Sequence, residues 1–180
     1  MSPASPDDRI EIVERDITTL EVDAIVNAAN PQLTPGGGVC GAIHDAAGPE
    51  LAEACAQLQP VREDVRCPTG EARITPGFNL PAMSVIHAVG PIWQGGFSRE
   101  ANRLAAAYRN TLELARQHDI ASIAIPALSC GIFGYPVEQA CTIALGEIRS
   151  FLSGSAMPER VILCDLGRDV LNTYAALLDR

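Results

Sequence analysis

VDAIVNAANPQLTPGGGVCGAIH, residues 22–44, is the stretch on which the fold of this chain turns. It reads as a short buried strand at Ala24, Ile25 and Val26, a polar turn holding Asn27 and Asn30, the glycine run Gly36-Gly37-Gly38, and an apolar segment of helical character. That order builds an anion site. Residues without Cβ let backbone N–H groups turn inward, and a helix starting directly afterwards adds unpaired amides and a positive dipole end. The ligand expected from the residues alone carries phosphate held by backbone, with amide side chains nearby to read a sugar.

Upstream, Ile10 to Val13 alternate with charged residues and predict a strand running into Arg15-Asp16-Ile17-Thr18, which places Asp16 at a mouth. Downstream, a helix through Ala42–Ala47 stops at Gly48-Pro49, and a second, PELAEACAQL, starts with Pro49 in its first turn. Gly70–Thr75 and Ser84–Val89 read as strands joined by the turn-rich PGFNLPAM. Gln94–Arg99 is a glycine-containing loop, and Glu100–Gln117 carries Leu104, Tyr108, Leu112 and Ala115 at helical spacing. A strand at Ser122–Pro126 leads into a second glycine-bearing turn, Ser129–Tyr135, and a helix from Pro136 to about Phe151. A strand at Val161–Leu166 and a helix at Asp169–Leu178 close the chain. Strands alternating with helices predict an α/β sheet with helices on both faces and ligands bound outside the carboxyl ends of strands.

The 180 residues, 47% of them hydrophobic, suit one domain over residues 1–180, with residues 1–8 expected as a frayed tail. Apolar runs such as IAIPAL and VILC fall far short of the roughly 18 residues a membrane span needs. The N-terminal stretch has no basic region followed by an apolar core, so the expected location is the cytoplasm, with no membrane partner. Six cysteines without a C-x-x-C pair argue against a structural metal or a disulfide framework. A net charge of -9 with scattered basic residues argues against nucleic acid as a partner. All thirteen basic residues are arginine. Without lysine the chain is neither a P-loop NTPase nor a Schiff-base enzyme that uses a lysine amine.

Several local patterns compete for the site. Gly36, Gly38 and Gly41 satisfy the dinucleotide fingerprint G-x-G-x-x-G, but the strand ends near Asn27 and the loop Ala28–Pro35 intervenes, which departs from an NAD-binding Rossmann junction. Ser129 in A-L-S-C-G resembles a nucleophile elbow, yet His44, His87 and His118 all precede it, against the order of that fold. Cys40 and His44 share a helix face as a nucleophile pair would, though a core or capping role suits His44 better. Asp16 reads either as a strand-end turn residue or as an acceptor for an exocyclic amine beside the Ile17 N–H, a pair selective for adenine. Phe133, between Gly131 and Gly134, suits a loop tip packed on a sugar.

Taken together, VDAIVNAAN, the glycine run with GAIH-x-AAG, CPTGEARITPG, VIHAVGP and the S-x-G-I-F-G-Y-P loop resemble a macrodomain. The resemblance is to the subgroup of mono-ADP-ribosyl hydrolases that also deacetylate O-acetyl-ADP-ribose, and it spans about Ile10 to Leu178. It implies a three-layer α/β/α sandwich around a mixed sheet, a cleft for ADP-ribose, and no cofactor. It implies that Asp16 and Ile17 bind adenine. Gly37, Gly38 and Val39 with Ser129, Cys130, Gly131, Ile132 and Phe133 would wrap the diphosphate, and Asn30 would meet the distal ribose. Substrates implied are ADP-ribose esters on Asp or Glu side chains and O-acetyl-ADP-ribose.

Three residues depart from the family pattern. Arg15 stands where glycine is usual, and Leu166 where a phenylalanine often faces the adenine. Cys40 stands where the hydrolase subgroup typically has an aspartate assigned to the attacking water. A thiol is only a few per cent ionised near neutrality and serves poorly as a general base. The expectation is slow turnover by a water held against the ligand's own phosphate, with Asn30 and Cys40 at the reacting end; the competing expectation is a reader that binds without turnover. The loop Pro31–Pro35 contains no cysteine or histidine, which sets the chain apart from zinc-dependent macrodomains.

Overall fold

The β-branched and alanine-rich runs at the centre pair side by side because they are too apolar to be exposed on either face, while the edge runs IEIVE and ARITP keep exposed positions. The computed structural model describes residues 5–179. Its strands are β1 (Ile10–Glu14), β2 (Ala24–Ala28), β3 (Ala72–Pro76), β4 (Ser84–Ala88), β5 (Ser122–Ile125) and β6 (Arg160–Asp165). They form one sheet in the order β1-β6-β5-β2-β4-β3, parallel except for β3, which runs antiparallel to β4. The helices are α1 (Gly38–Ala47), α2 (Pro49–Gln57), α3 (Glu100–Gln117), α4 (Val137–Gly154) and α5 (Arg168–Leu178).

Alternation along the strands sorts the helices into two layers. Ala24, Val26, Ile86, Ile123, Ile125 and Leu163 pack with Leu104 and Tyr108 of α3, Leu145 and Ile148 of α4 and Tyr174 of α5. Ile25, Val85, Ala124 and Ile162, on the other face, pack with Ile43 and Ala47 of α1 and Leu51 and Cys55 of α2. The fold is therefore a three-layer α/β/α sandwich on a mixed sheet. No helix among the described residues is long and apolar enough to cross a membrane.

Two details place the site. The β2–β5 pairing covers only Ala24↔Ile123 and Ile25↔Ala124, whereas β2 stays paired with β4 as far as Ala28↔Ala88. The carboxyl ends of β2 and β5 therefore diverge, and a cleft opens between them. The parallel strands β1, β2, β4, β5 and β6 all deliver their following residues to that edge, as expected for open α/β sheets.

Element boundaries depart from the sequence reading in several places: α1 starts at Gly38 rather than near Ala42, so the glycine run leads directly into it, and β3 is shifted to Ala72–Pro76 from the expected Gly70–Thr75. α4 uses Pro136 as its N-cap and continues to Gly154, past Phe151. Residues 5–8 are not a frayed tail. Ser5 caps a 3-10 turn over Pro6–Arg9, Asp7 pairs with Arg149 at 2.6 and 2.7 Å, and Arg9 donates to the carbonyls of Leu152, Ser155, Ala156 and Pro158. The partners lie 142–149 residues away in sequence, so nothing local announces them. Residues 1–4 of the expected tail lie outside the described residues.

Candidate functional site

The divergence of β2 from β5 leaves a cleft of 640 Å³ at the carboxyl edge of the sheet, within the usual range for small-molecule sites of roughly 300–1,000 Å³. Asp16, Ile17, Asn30, Gly37, Gly38, Val39, Cys40, Ser129, Cys130, Gly131, Ile132, Phe133 and Leu166 all line it. Residues separated by up to 150 positions in sequence thus meet in one place. The sequence reading missed Gly90, Asp165 and Asp169, which also line the cleft. Gly90 and Asp165 sit at strand ends, a signal that the strand assignments themselves carry.

Three helices begin at the cleft, and they are electrostatically different. α4 and α5 carry an acidic residue in the first turn, Glu138 and Asp169, whereas α1 has none and its N-cap Gly37 makes no side-chain bond to the first-turn amides. The unpaired N–H groups and positive dipole end of α1 are therefore the ones left for an anion. Gly38 adopts a left-handed φ of 58°, which a residue without Cβ takes at little cost.

Opposite lies the Ser129–Tyr135 loop. Its ends are closed by Tyr135 N–H to the Ser129 carbonyl (2.9 Å) and Gly134 N–H to the Gly131 carbonyl (3.0 Å). The N–H groups of Gly131, Ile132 and Phe133 make no backbone hydrogen bond among the described residues. Ser129 is buried with a φ of 67°, and its Oγ has no partner among the described residues. A Cβ on Gly90 would sit 2.2 Å from that Oγ, so only glycine lets β4 pass this close. The two loops come close across the cleft: a Cβ on Gly37 would lie 3.4 Å from Ile132 Cδ1.

At one end of the cleft Asp16 caps a 3-10 turn, its Oδ1 accepting from the Thr18 N–H (3.0 Å) and Thr18 Oγ1 (2.7 Å). Oδ2 makes no hydrogen bond among the described residues. Leu166 is 67% exposed at the rim. At the other end Asn30 is tied to the loop, its Nδ2 donating to the Thr34 carbonyl (2.8 Å) and its Oδ1 accepting from the Thr34 N–H (3.1 Å). One Nδ2 hydrogen is left for a ligand. Gly36 brings Asn30 and Cys40 together, since both Asn30 Nδ2 and Cys40 Sγ lie 3.7 Å from where its Cβ would be.

Cys40 is buried and makes two weak sulfur hydrogen bonds, accepting from Asn27 Nδ2 (3.7 Å) and donating to the Thr34 carbonyl (3.7 Å). His44 is buried and neither ring nitrogen has a partner among the described residues, so Cys40 and His44 do not form a nucleophile pair. Likewise Ser129 Oγ meets no histidine. Burial, reinforced by Cys141, Asp165 and Asp169, pushes the Cys130 thiol up to about 12, so it stays protonated and unreactive at neutral pH. No group of three or more His, Cys, Asp or Glu able to hold a metal ion occurs among the described residues.

From Cys40 a buried polar chain runs inward through Asn27. Asn27 Nδ2 also donates to His87 Nδ1 (3.1 Å), so His87 carries its proton on Nε2 and donates to Thr75 Oγ1 (2.9 Å), which donates to the Pro76 carbonyl (3.2 Å). Burial, reinforced by His44, lowers His87 from its ordinary 6.5 to about 3. The neutral ring is what the fold accommodates. Unfolding below pH 6.5 therefore takes up a proton, and the stability this group contributes is complete above pH 6.5 and lost as pH falls towards 3. Urea titrations are expected to show stability falling below pH 6.5 by up to about 1.4 kcal/mol per pH unit on this account. His44, lowered by its own burial, adds in the same direction. His87→Gln is expected to remove one proton from the slope; an unchanged slope would contradict the buried neutral ring.

The geometry agrees with what the chain resembles among known proteins. A family model described as Macro domain matches residues 26–144. A macro domain-containing protein of Xanthomonas campestris pv. campestris is 54% identical over 92% of this chain and 93% of its own. A protein of Enterobacter cloacae named O-acetyl-ADP-ribose deacetylase is 49% identical over 94% of this chain and 93% of its own. Among solved structures, the macrodomain of Oceanobacillus iheyensis with ADP superposes with a TM-score of 0.87 at 41% identity, covering 94% of this chain and 90% of that one. The macrodomain of Trypanosoma brucei in complex with ADP-ribose gives 0.85 at 38% identity, covering 94% and 69%.

Proposed function

This chain belongs to the macrodomain family, and from that we infer that its cleft binds ADP-ribose and that it hydrolyses ADP-ribose esters, namely those on Asp or Glu side chains and O-acetyl-ADP-ribose. The observation that carries the reading is the meeting of an uncapped, acid-free helix N-terminus with the Gly131–Phe133 amides across one 640 Å³ cleft. A diphosphate between those two amide groups is held by backbone N–H groups, and the one basic residue lining the cleft, Arg15, stands next to Asp16. Asp16 then faces the adenine end, and Asn30 with Cys40 the distal ribose end. The site works in the cytoplasm in this reading, on mono-ADP-ribosylated proteins or the free acetylated nucleotide.

For a glutamate-linked substrate, a water oxygen bonds to the distal ribose C1″, the bond from C1″ to the ester oxygen breaks, and the side-chain carboxylate leaves with the bonding pair. In O-acetyl-ADP-ribose the water oxygen bonds to the acyl carbon, the bond from that carbon to the ribose oxygen breaks, acetate is released and the ribose oxygen takes up a proton from the water. With the Cys40 S–H directed at the Thr34 carbonyl, the water's proton passes to a phosphate oxygen of the ligand, and turnover is slow.

Titration calorimetry with ADP-ribose tests the binding step, and release of free ADP-ribose from a glutamate-linked conjugate tests turnover. No binding at millimolar ligand overturns the whole reading; binding without release leaves a reader built on this frame. Asp16→Ala is expected to weaken ADP-ribose about tenfold and to leave ribose phosphate unaffected, because an exposed carboxylate contributes at the lower end for a charged hydrogen bond. Equal loss for both ligands would contradict the adenine role of Asp16.

A further inference from the structure

Glu100, the first residue of α3, is buried to 1% exposure although it does not line the cleft. Its carboxylate accepts three backbone N–H groups of the preceding loop, those of Gln94 (2.9 Å), Gly96 (3.1 Å) and Ser98 (2.7 Å). The loop is thereby wound around one charge. Burial alone raises the Glu100 carboxyl, but the N–H groups around it outweigh that and hold it below the usual glutamate range, so it stays ionised at neutral pH. Gly95 and Gly96, with φ of 85° and 88°, permit the winding, and Gly96 packs on the Trp93 ring, where a Cβ would come within 3.2 Å.

The wound loop leads to the phosphate loop by two contacts. The Trp93 N–H donates to the Phe133 carbonyl (2.8 Å), and the Trp93 ring lies against Tyr135 with centroids 4.7 Å apart. Tyr135 in turn donates its N–H to the Ser129 carbonyl, closing the phosphate loop. We propose that Glu100 is a positioning residue for the Ser129–Tyr135 loop, setting through Trp93 where the Gly131–Phe133 amides point and hence how tightly the cleft holds the diphosphate and distal ribose. The adenine end, formed by the turn after β1, has no part in this chain of contacts. Glu100 acts on one half of the ligand only.

This rests on the ADP-ribose reading above, and the experiment separates the two. In Glu100→Gln the size is kept but one acceptor becomes an NH2 facing backbone N–H groups, so the winding loosens. Hydrogen exchange on the unliganded protein is expected to quicken at Gln94–Ser98 and also at Gly134 and Tyr135, whose N–H groups close the phosphate loop, a result independent of any ligand. ADP-ribose affinity is expected to fall about 3–30-fold, the range for coupling through a contact network, while adenosine affinity stays at the wild-type value. Trp93 is the only tryptophan. Its fluorescence change on adding ADP-ribose to wild type is expected to diminish in Glu100→Gln. Trp93→Phe keeps the backbone N–H and an aromatic ring, and is expected to retain ADP-ribose affinity. If Glu100→Gln does not fold, Glu100→Asp, which withdraws the charge by one methylene, carries the same expectations. Exchange confined to Gln94–Ser98, or equal loss of adenosine and ADP-ribose, overturns the proposal. Failure of wild type to bind ADP-ribose, with exchange still spreading to Gly134 and Tyr135, overturns the functional reading alone.

Discussion

Cys40→Asp is expected to raise the rate of ADP-ribose release from a glutamate-linked conjugate by about 10²–10⁴-fold, the gain ordinarily supplied by a positioned general base. The thiol it replaces lies at the distal end of the cleft within reach of Asn27 Nδ2 and beside the first-turn amides of α1. Both surroundings favour a carboxylate: the amide donates to it, and the helix N-terminus stabilises negative charge. The Thr34 carbonyl, which accepts from the thiol, repels a carboxylate, so the new side chain is expected to turn towards Asn27 and the cleft. The measurement is kcat at saturating conjugate, with ADP-ribose affinity measured alongside to show that the gain is not occupancy. A rate unchanged from wild type would mean that the water takes no help from position 40 and that the ligand's own phosphate suffices.

Gly41→Ala is expected to weaken ADP-ribose by about 5–150-fold, from an overpacking cost of about 1–3 kcal/mol. A Cβ at Gly41 would sit 2.6 Å from the Gly36 carbonyl oxygen, a backbone atom with no rotamer in which to escape. The clash is therefore relieved by moving Gly36 and Gly37, which line the cleft, away from α1. Thermal stability is expected to fall less than binding, since alanine in a helix interior recovers about 0.5–1 kcal/mol of the loss. Gly146→Ala on α4, where a Cβ meets nothing within 4 Å, is the matched control and should bind as wild type. A Gly41→Ala protein that binds normally would show that the glycine loop is not part of the anion site.

Local features of this kind are legible in the sequence. Ala24–Val26, the glycine run and Pro49 are each interpretable within a few residues, because backbone freedom, helix punctuation and apolar runs are local properties. For that reason spacing alone bounds α3 at Glu100 and Gln117. Glu100 itself reads only as the start of that helix. Its carboxylate is held by three amides of a loop that shows nothing but two glycines in sequence. His87 likewise reads as one more residue of an apolar strand, and its neutral buried state depends on Asn27 from β2 and Thr75 from β3 standing on either side.

By itself, then, the sequence carried its elements, the α/β alternation, the expectation of an anion site at residues 36–39 and the family resemblance that joined it to the Ser129 loop. The tertiary structure alone decided the order β1-β6-β5-β2-β4-β3, the early end of the β2–β5 pairing that opens the cleft, and the passage of Gly90 against Ser129. It also tied residues 5–9 to α4 and the segment after it. The reason is physical: dihedral preference and burial period act over a few residues and leave a mark in the sequence. Strand order, divergence and close approach are instead set by how whole layers pack, and many sequences of the same local pattern satisfy that packing differently.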